Sequence, residues 1–86
     1  MQGTRLPDDK IPLNPGEYAL IHRQNGDEAW LCNPPNGAGP GSLEQHVVAV
    51  HEDGTISVTP SIQFNKNHPE LPQWHGHLIK GSWLEC

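Results

Sequence analysis

The chain has 86 residues, among them nine glycines and nine prolines, and its ten acidic and five basic residues give a net charge of −5. This length suits one small domain with a thin core, because two separate cores would each fall near ~40 residues, where staples or partners become necessary. The prolines exclude a helical bundle, since even residues 41–59, the longest stretch without one, lack helical periodicity.

Two further classes are excluded by the order of the residues. The basic residues are scattered, whereas a nucleic-acid binder needs a basic patch to release counterions from phosphates. No apolar run reaches the ~18 residues of a membrane span, and the N-terminus lacks the apolar stretch of a secretory signal. We therefore expect a cytoplasmic protein that binds neither nucleic acid nor membrane directly.

The first sixteen residues differ from the rest of the chain. They contain three prolines and two glycines and show no periodic apolar pattern. Residues 1–16 therefore predict an extended N-terminal arm that either lies along the domain or frays. Residues 17–86 are predicted to form a single β domain.

Three turn signals follow the arm at nearly equal spacing, each between two short apolar runs: Asn25-Gly26, Asp53-Gly54 and Lys80-Gly81. Asn-Gly and Asp-Gly favour two-residue hairpin turns, because these turns need positive φ at both central positions. The pattern predicts an all-β fold of three consecutive hairpins, forming a small antiparallel sandwich or a partly open barrel. A helical turn near residues 41–45, capped by Ser42, is the one helical alternative.

Two-residue turns also fix which residues lie opposite each other. The pairs predicted for the first and third hairpins include Arg23–Glu28, Ile21–Trp30, Ala19–Cys32, Leu78–Trp83 and His75–Cys86. In the second hairpin, the face predicted to enter the core consists of Val47, Ala49, His51, Ile56 and Val58.

Four residues have the chemistry of zinc ligands. His75 and His77 alternate on one strand and share a face, which Cys86 joins from the paired strand. Cys32 ends the first hairpin and would supply the fourth ligand of a Cys₂His₂ zinc site. The close ligand pairs of most zinc sites are missing, so a Cys32–Cys86 disulfide or two free thiols are the alternatives.

Aromatic and acidic residues are the candidates for contact with a protein partner. Trp74 and Trp83 share the face of the third hairpin that is opposite to the histidines, so they are either an exposed contact pair or part of the core. Acidic residues at two hairpin tips would engage a basic partner, although turns also favour Asp without any partner. These tip residues are Asp27, Glu28, Glu52 and Asp53.

Three segments carry a resemblance to known domains: Cys32-Asn-Pro-Pro-Asn-Gly, Thr59-Pro60-Ser61-Ile62 and Trp74-His-Gly-His-Leu-Ile-Lys-Gly-Ser-Trp83. Over about residues 28–86 the chain resembles small uncharacterised β domains of bacteriophages and prophages. Those domains have a Cys-Pro-x-Cys-like loop, a Thr-x-x-Pro-Ser-Ile/Leu segment and a closing hairpin with histidine. The resemblance implies a phage or prophage origin and hence the cytoplasm of the host cell. It matches Cys32 to the first loop cysteine, but no second cysteine follows in the loop, so Cys86 would have to replace it.

Three functions fit this sequence. The first is a small phage-type binding or inhibitory protein, acting on a host defence protein or a nucleic-acid enzyme through Trp74, Trp83 and the acidic tips. The second is a structural domain stapled by zinc, and the third is a small histidine- or metal-dependent hydrolase, although no complete set of catalytic roles can be assembled. Exposed edge strands would also allow a homodimer that pairs across a two-fold axis.

Overall fold

A computed structural model describes residues 1–86 and contains strands and turns but no helix. The nine strands are β1 (Thr4–Arg5), β2 (Glu17–His22), β3 (Glu28–Cys32), β4 (Gly41–Ser42), β5 (Val47–Val50), β6 (Ile56–Thr59), β7 (Ile62–Phe64), β8 (Trp74–Ile79) and β9 (Ser82–Glu85). The all-β prediction is confirmed, and the three hairpins are β2–β3, β5–β6 and β8–β9.

Hydrogen bonding divides the strands into three sheets, ordered β1-β2-β3-β4, β5-β6 and β7-β8-β9. Neighbouring strands are antiparallel except β1 and β2, which run parallel. β6 lies alongside β8, and in the turn that follows β8 the Gly81 N–H donates to the Ile56 carbonyl over 2.9 Å. The sheets pack around one core without closing into a barrel, so the fold is consistent with a small sandwich.

The core is built from residues that every sheet contributes. Its nine buried members are Tyr18, Cys32, Leu43, Ile56, Val58, Ile62, Trp74, Leu78 and Trp83. The two tryptophan rings pack edge to face with their centroids 5.2 Å apart. Aromatic side chains bury more apolar area than any other residue type, which is how so short a chain fills a core.

The N-terminal segment lies along the domain and joins two sheets. β1 extends the first sheet beside β2, while Gln2 forms a bridge with Ser82 of β9. The Gly3 N–H donates to the Gly81 carbonyl over 2.7 Å, and Leu13 is buried. In this structure residues 1–16 lie along the domain, the first of the two alternatives that the sequence left open for the arm.

The predicted register is wrong by one residue in the first two hairpins and correct in the third. Tyr18 instead of Ala19 lies opposite Cys32, and Val48 instead of Ala49 lies opposite Val58. In the third hairpin the pairs from Ile79–Ser82 to Gly76–Glu85 are those predicted. The shift in β5 turns Val47 and Ala49 away from the core, where the sequence had placed them.

Turn geometry explains the difference. In the first two hairpins only the glycine of each turn has positive φ, 89° at Gly26 and 86° at Gly54. This is the three-residue loop in which a type I turn is followed by one left-handed residue. In the third hairpin Lys80 and Gly81 both have positive φ, 47° and 76°, as a two-residue turn requires.

The helical alternative at residues 41–45 is replaced by β4 and a turn. Gly41 and Ser42 pair with β3, and the His46 N–H donates to the Leu43 carbonyl over 3.0 Å. Ser42 Oγ accepts the Glu44 N–H at 3.2 Å, so the serine caps a turn and not a helix.

Candidate functional site

Four strands present a common outward side, which we call the outer face. Ile56, Val58, Leu78 and Trp83 all point into one core, so the residues that alternate with them point away from it. The outer face comprises Val47, Ala49, Ser57, Thr59, His75, His77, Ile79, Ser82 and Leu84.

The outer face is uncharged and partly apolar. None of its nine residues is Asp, Glu, Lys or Arg, although these types make up 17% of the chain. Three large aliphatic side chains on it remain exposed, Val47 at 71%, Leu84 at 49% and Ile79 at 44%. Exposed apolar groups without neighbouring charge are typical of a surface that a partner covers.

One border of the outer face is an open sheet edge formed by β5. The His51 N–H donates to the Thr55 carbonyl over 2.8 Å, so by antiparallel alternation the backbone groups of Val47 and Ala49 also point at β6. The N–H and C=O groups of Val48 and Val50 then point to the open edge. No lysine, proline or bulge lies in β5 to block pairing with another strand.

Two histidine–serine pairs each include one residue of the outer face, Ser57 or His75. His51 Nε2 is 2.7 Å from Ser57 Oγ, which also accepts the Lys80 N–H over 2.9 Å. His75 Nε2 is 3.1 Å from Ser61 Oγ. The first pair joins the end of β5 to β6, and the second joins β8 to the connection between β6 and β7, so both stabilise the strands that carry the face. A hydrolase that uses such a pair stays a prediction.

Trp74 and Trp83 lie in the core, which is one of the two alternatives that the sequence left open. Their side chains are 3% and 2% exposed, so they are not available as the contact pair of the partner-binding prediction. The Trp83 indole Nε1–H donates to the buried Gly16 carbonyl over 3.0 Å. Because side chains alternate along β8, burial of Trp74 exposes His75 on the other side.

The four predicted zinc ligands lie in different surroundings. Cys86 is paired with His75, whose carbonyl accepts the Cys86 N–H over 2.9 Å. Cys32 lies in the core, where burial raises the pKa of its thiol to about 12 and disfavours the thiolate that zinc binds. The structure contains no group of three His, Cys, Asp or Glu side chains arranged around a metal position. The zinc site of Cys32, His75, His77 and Cys86 stays a prediction.

The acidic tip residues are exposed, and several shape their own turns. Asp53 Oδ1 accepts the Thr55 N–H at 3.0 Å and the Thr55 hydroxyl at 2.6 Å, and these bonds hold the pKa of Asp53 below its ordinary value. Asp27 Oδ2 accepts an Asn25 amide hydrogen at 3.0 Å. Of the two tips, the one with Glu52 and Asp53 directly follows β5 and so borders the outer face.

The sequence did not single out the residues that define this surface. Val47 and Ala49 were assigned to the core because the turn was counted one residue too short. Ile79 and Leu84 lie on the histidine side of the third hairpin, whose register was correct, so their exposure could have been inferred once the tryptophans were placed inside.

Comparison with protein-family models, with curated proteins and with solved structures finds no match for this chain. The resemblance to phage domains therefore stays a prediction. No helix in the structure is long and apolar enough to cross a membrane. The outer face and the β5 edge are thus the features from which a function can be inferred.

Proposed function

We propose that the protein is a small binding domain that docks its outer face against another protein. The observation that carries this proposal is the exposure of Val47, Ile79 and Leu84 on a face without charged residues, in a chain of net charge −5. The centre of a protein–protein interface is depleted of charge in the same way. Removal of exposed aliphatic side chains from water lowers the free energy of the complex with a partner.

The charges around the face define the partner. Glu52, Asp53 and Lys80 lie together at the border beside β5, so this border carries charges of both signs with an acidic excess. A partner that presents an apolar patch next to lysine or arginine would be oriented by the two carboxylates. Enzymes that act on nucleic acids carry such basic residues near their substrate channels. Inhibition of a nucleic-acid or defence enzyme is therefore the activity that suits a phage-type protein with this surface.

Substitution within the outer face tests this proposal. Ile79→Lys places a positive charge on the face at the last residue of β8, and Ile11→Lys makes the same change at a residue 61% exposed on the N-terminal segment. We expect partner affinity, measured by quantitative affinity purification from an extract of the host bacterium, to fall at least about tenfold with Ile79→Lys. The Ile11→Lys control should bind like the unchanged protein.

Two outcomes would contradict the proposal. One is the absence of any partner that discriminates between the two variants. The other is a partner whose binding survives both Ile79→Lys and Leu84→Lys. Circular dichroism of each variant checks that the strands are retained, so that a loss of binding reports on the face itself.

A further inference from the structure

We propose that two copies of this chain pair through β5, antiparallel, about a two-fold axis that passes between the two Ala49 residues. This inference goes beyond the proposed function and does not rest on it. It starts from the outward N–H and C=O groups of Val48 and Val50, and from residues 45–51, which contain no Asp, Glu, Lys or Arg. In a chain of net charge −5, that segment is a place where two copies meet with little repulsion.

Symmetry limits how the two edges can meet. Residues that lie opposite each other in a sheet point to the same face, so the two-fold axis must be perpendicular to the sheet. The axis then relates one residue to its own copy. Within the apolar part of β5, the axis can pass at Val48, Ala49 or Val50.

The register centred on Ala49 uses the free backbone groups fully. Val48 lies opposite Val50 of the second copy, and both residues direct their N–H and C=O groups at the edge. Each of these two equivalent pairs exchanges two hydrogen bonds, as a hydrogen-bonded antiparallel pair does. Ala49, the smallest side chain of the strand, lies at the axis, where the two backbones approach most closely.

The length of β5 selects the same register. The strand spans only Val47–Val50, and the His46 N–H before it already donates to the Leu43 carbonyl. An axis at Val48 would place Val50 opposite His46, and an axis at Val50 would place Val48 opposite the hairpin loop. An axis at Ala49 instead keeps both hydrogen-bonded pairs within the strand.

The dimer would have a consequence for the outer face. A two-fold axis perpendicular to the sheet keeps the outer faces of both copies on the same side. Val47 would then lie opposite His51 of the second copy, and the two uncharged faces would join across the new strand pair. The pairing would also cover a strand edge that is otherwise open to aggregation.

Analytical ultracentrifugation of the full chain over a wide concentration range tests the pairing. It is done with reductant and in a Cys86→Ser background, because the exposed Cys86 thiol could otherwise join copies covalently. We expect a reversible species of twice the 9.5 kDa chain mass. A chain that stays at 9.5 kDa at every concentration would overturn the proposal.

Two variants locate the contact. Ala49→Lys sets two ammonium groups against each other at the axis and should raise the dimer dissociation constant at least about tenfold. Ile79→Lys carries the same charge on β8, away from the edge, and should leave that constant unchanged. Dimerisation of Ala49→Lys equal to that of the unchanged protein would overturn the proposal. Loss of partner binding by Ile79→Lys without loss of the dimer separates this test from that of the outer face.

Cysteine substitution reports the register. In the Cys86→Ser background, Ala49→Cys should form a symmetric disulfide under mild oxidation, because facing residues at the axis lie within the Cα separation that a disulfide spans. Val47→Cys, whose copy lies several residues away along the strand, should not. Equal cross-linking of the two variants would exclude the Ala49-centred register.

Discussion

The two cysteines of this chain lie in opposite surroundings. Cys32 is fully buried in the core, and Cys86 is exposed after β9. Burial raises the pKa of the Cys32 thiol to about 12, so almost none of the reactive thiolate forms there at neutral pH. A structural role in packing follows for Cys32, whereas Cys86 is free to react.

We therefore expect thiol titration of the folded protein to detect one of its two thiols. The second should react only after unfolding in denaturant, and Cys86→Ser should abolish the fast reaction. Metal analysis of the same sample connects this measurement to the zinc hypothesis. Two protected thiols together with one bound zinc would contradict the packing role and favour the Cys32, His75, His77 and Cys86 site.

Asp9 and His22 form the clearest pH-sensitive contact. Asp9 Oδ1 accepts the His22 N–H at 2.6 Å, and Oδ2 lies 3.0 Å from His22 Nδ1. The bond from the His22 backbone is the main reason that the pKa of Asp9 is lowered, and the side-chain bond to Asp9 is the main reason that the pKa of His22 is raised. The contact fastens the N-terminal segment to β2.

These directions set the pH range over which the contact stabilises the fold. The contribution of Asp9 is complete above its ordinary pKa of 3.8 and is lost as the pH falls through its lowered value in the folded protein. The contribution of His22 is complete below its ordinary pKa of 6.5 and is lost as the pH rises through its raised value. The difference in melting temperature between the unchanged protein and Asp9→Asn should therefore be largest between those two pKa values. Glu85→Gln, at an exposed carboxylate far from this contact along the chain, is the control, and a difference that does not vary with pH would contradict the assignment.

At the scale of elements, the sequence predicted which segments form strands better than it predicted how those strands pair. The hairpins around Gly26, Gly54 and Gly81 were found because glycine between apolar runs is a local signal. Their register was not, since Asn-Gly and Asp-Gly are compatible with loops of two or three residues. An error of one residue in the register assigns every side chain of a strand to the wrong face, which is why the exposed side of β5 was missed. The pairing of β1 with β2 was not predicted, because residues 1–16 show no periodic apolar pattern. Their place is set by contacts with residues that are distant in the sequence.

Arg5 shows how β1 supports a distant element. Its Nη1 donates to the Gly54 carbonyl over 2.9 Å at the tip of β5–β6, and its guanidinium lies 4.9 Å from the centre of the Trp30 ring. Arg5→Met keeps the apolar stem but removes both interactions. We expect the β5–β6 hairpin to lose about 1 kcal/mol of local stability, because partly exposed charged hydrogen bonds and cation–π contacts contribute about that much.

Hydrogen exchange of the β6 amides measures this loss. Exchange of Ser57 and Thr59, whose N–H groups point at β5, should quicken in Arg5→Met, while the amides of β8 change less. Lys10→Met, which removes an exposed positive charge from the same segment, should leave β6 unchanged. Equal exchange in Arg5→Met and Lys10→Met would show that Arg5 does not support the hairpin.

At the scale of the whole molecule, three sheets share one small core, and the chain closes on itself through its first residues. The Trp83 N–H donates to the Met1 carbonyl over 2.7 Å, and Met1 N donates to the Trp83 carbonyl over 3.1 Å. These partners are 82 positions apart in the sequence. Gln2 and Gly3 make further contacts with β9 and its turn. We call this contact between residues 1–3 and residues 81–83 the terminal seam.

The terminal seam determines when folding of the domain can be completed. Residues 1–3 can form their hydrogen bonds only once strand β9 is present. A chain emerging from the ribosome can therefore form the β2–β3 hairpin early, but it cannot complete its sheets until the β8–β9 hairpin has been synthesised. Proteins dominated by such distant pairings fold in milliseconds to seconds, more slowly than helical proteins of equal size. Until then Ile56 and Val58 of β6 lack the core residues of the closing hairpin that cover them, and the interval before closure is when unwanted association is most favoured.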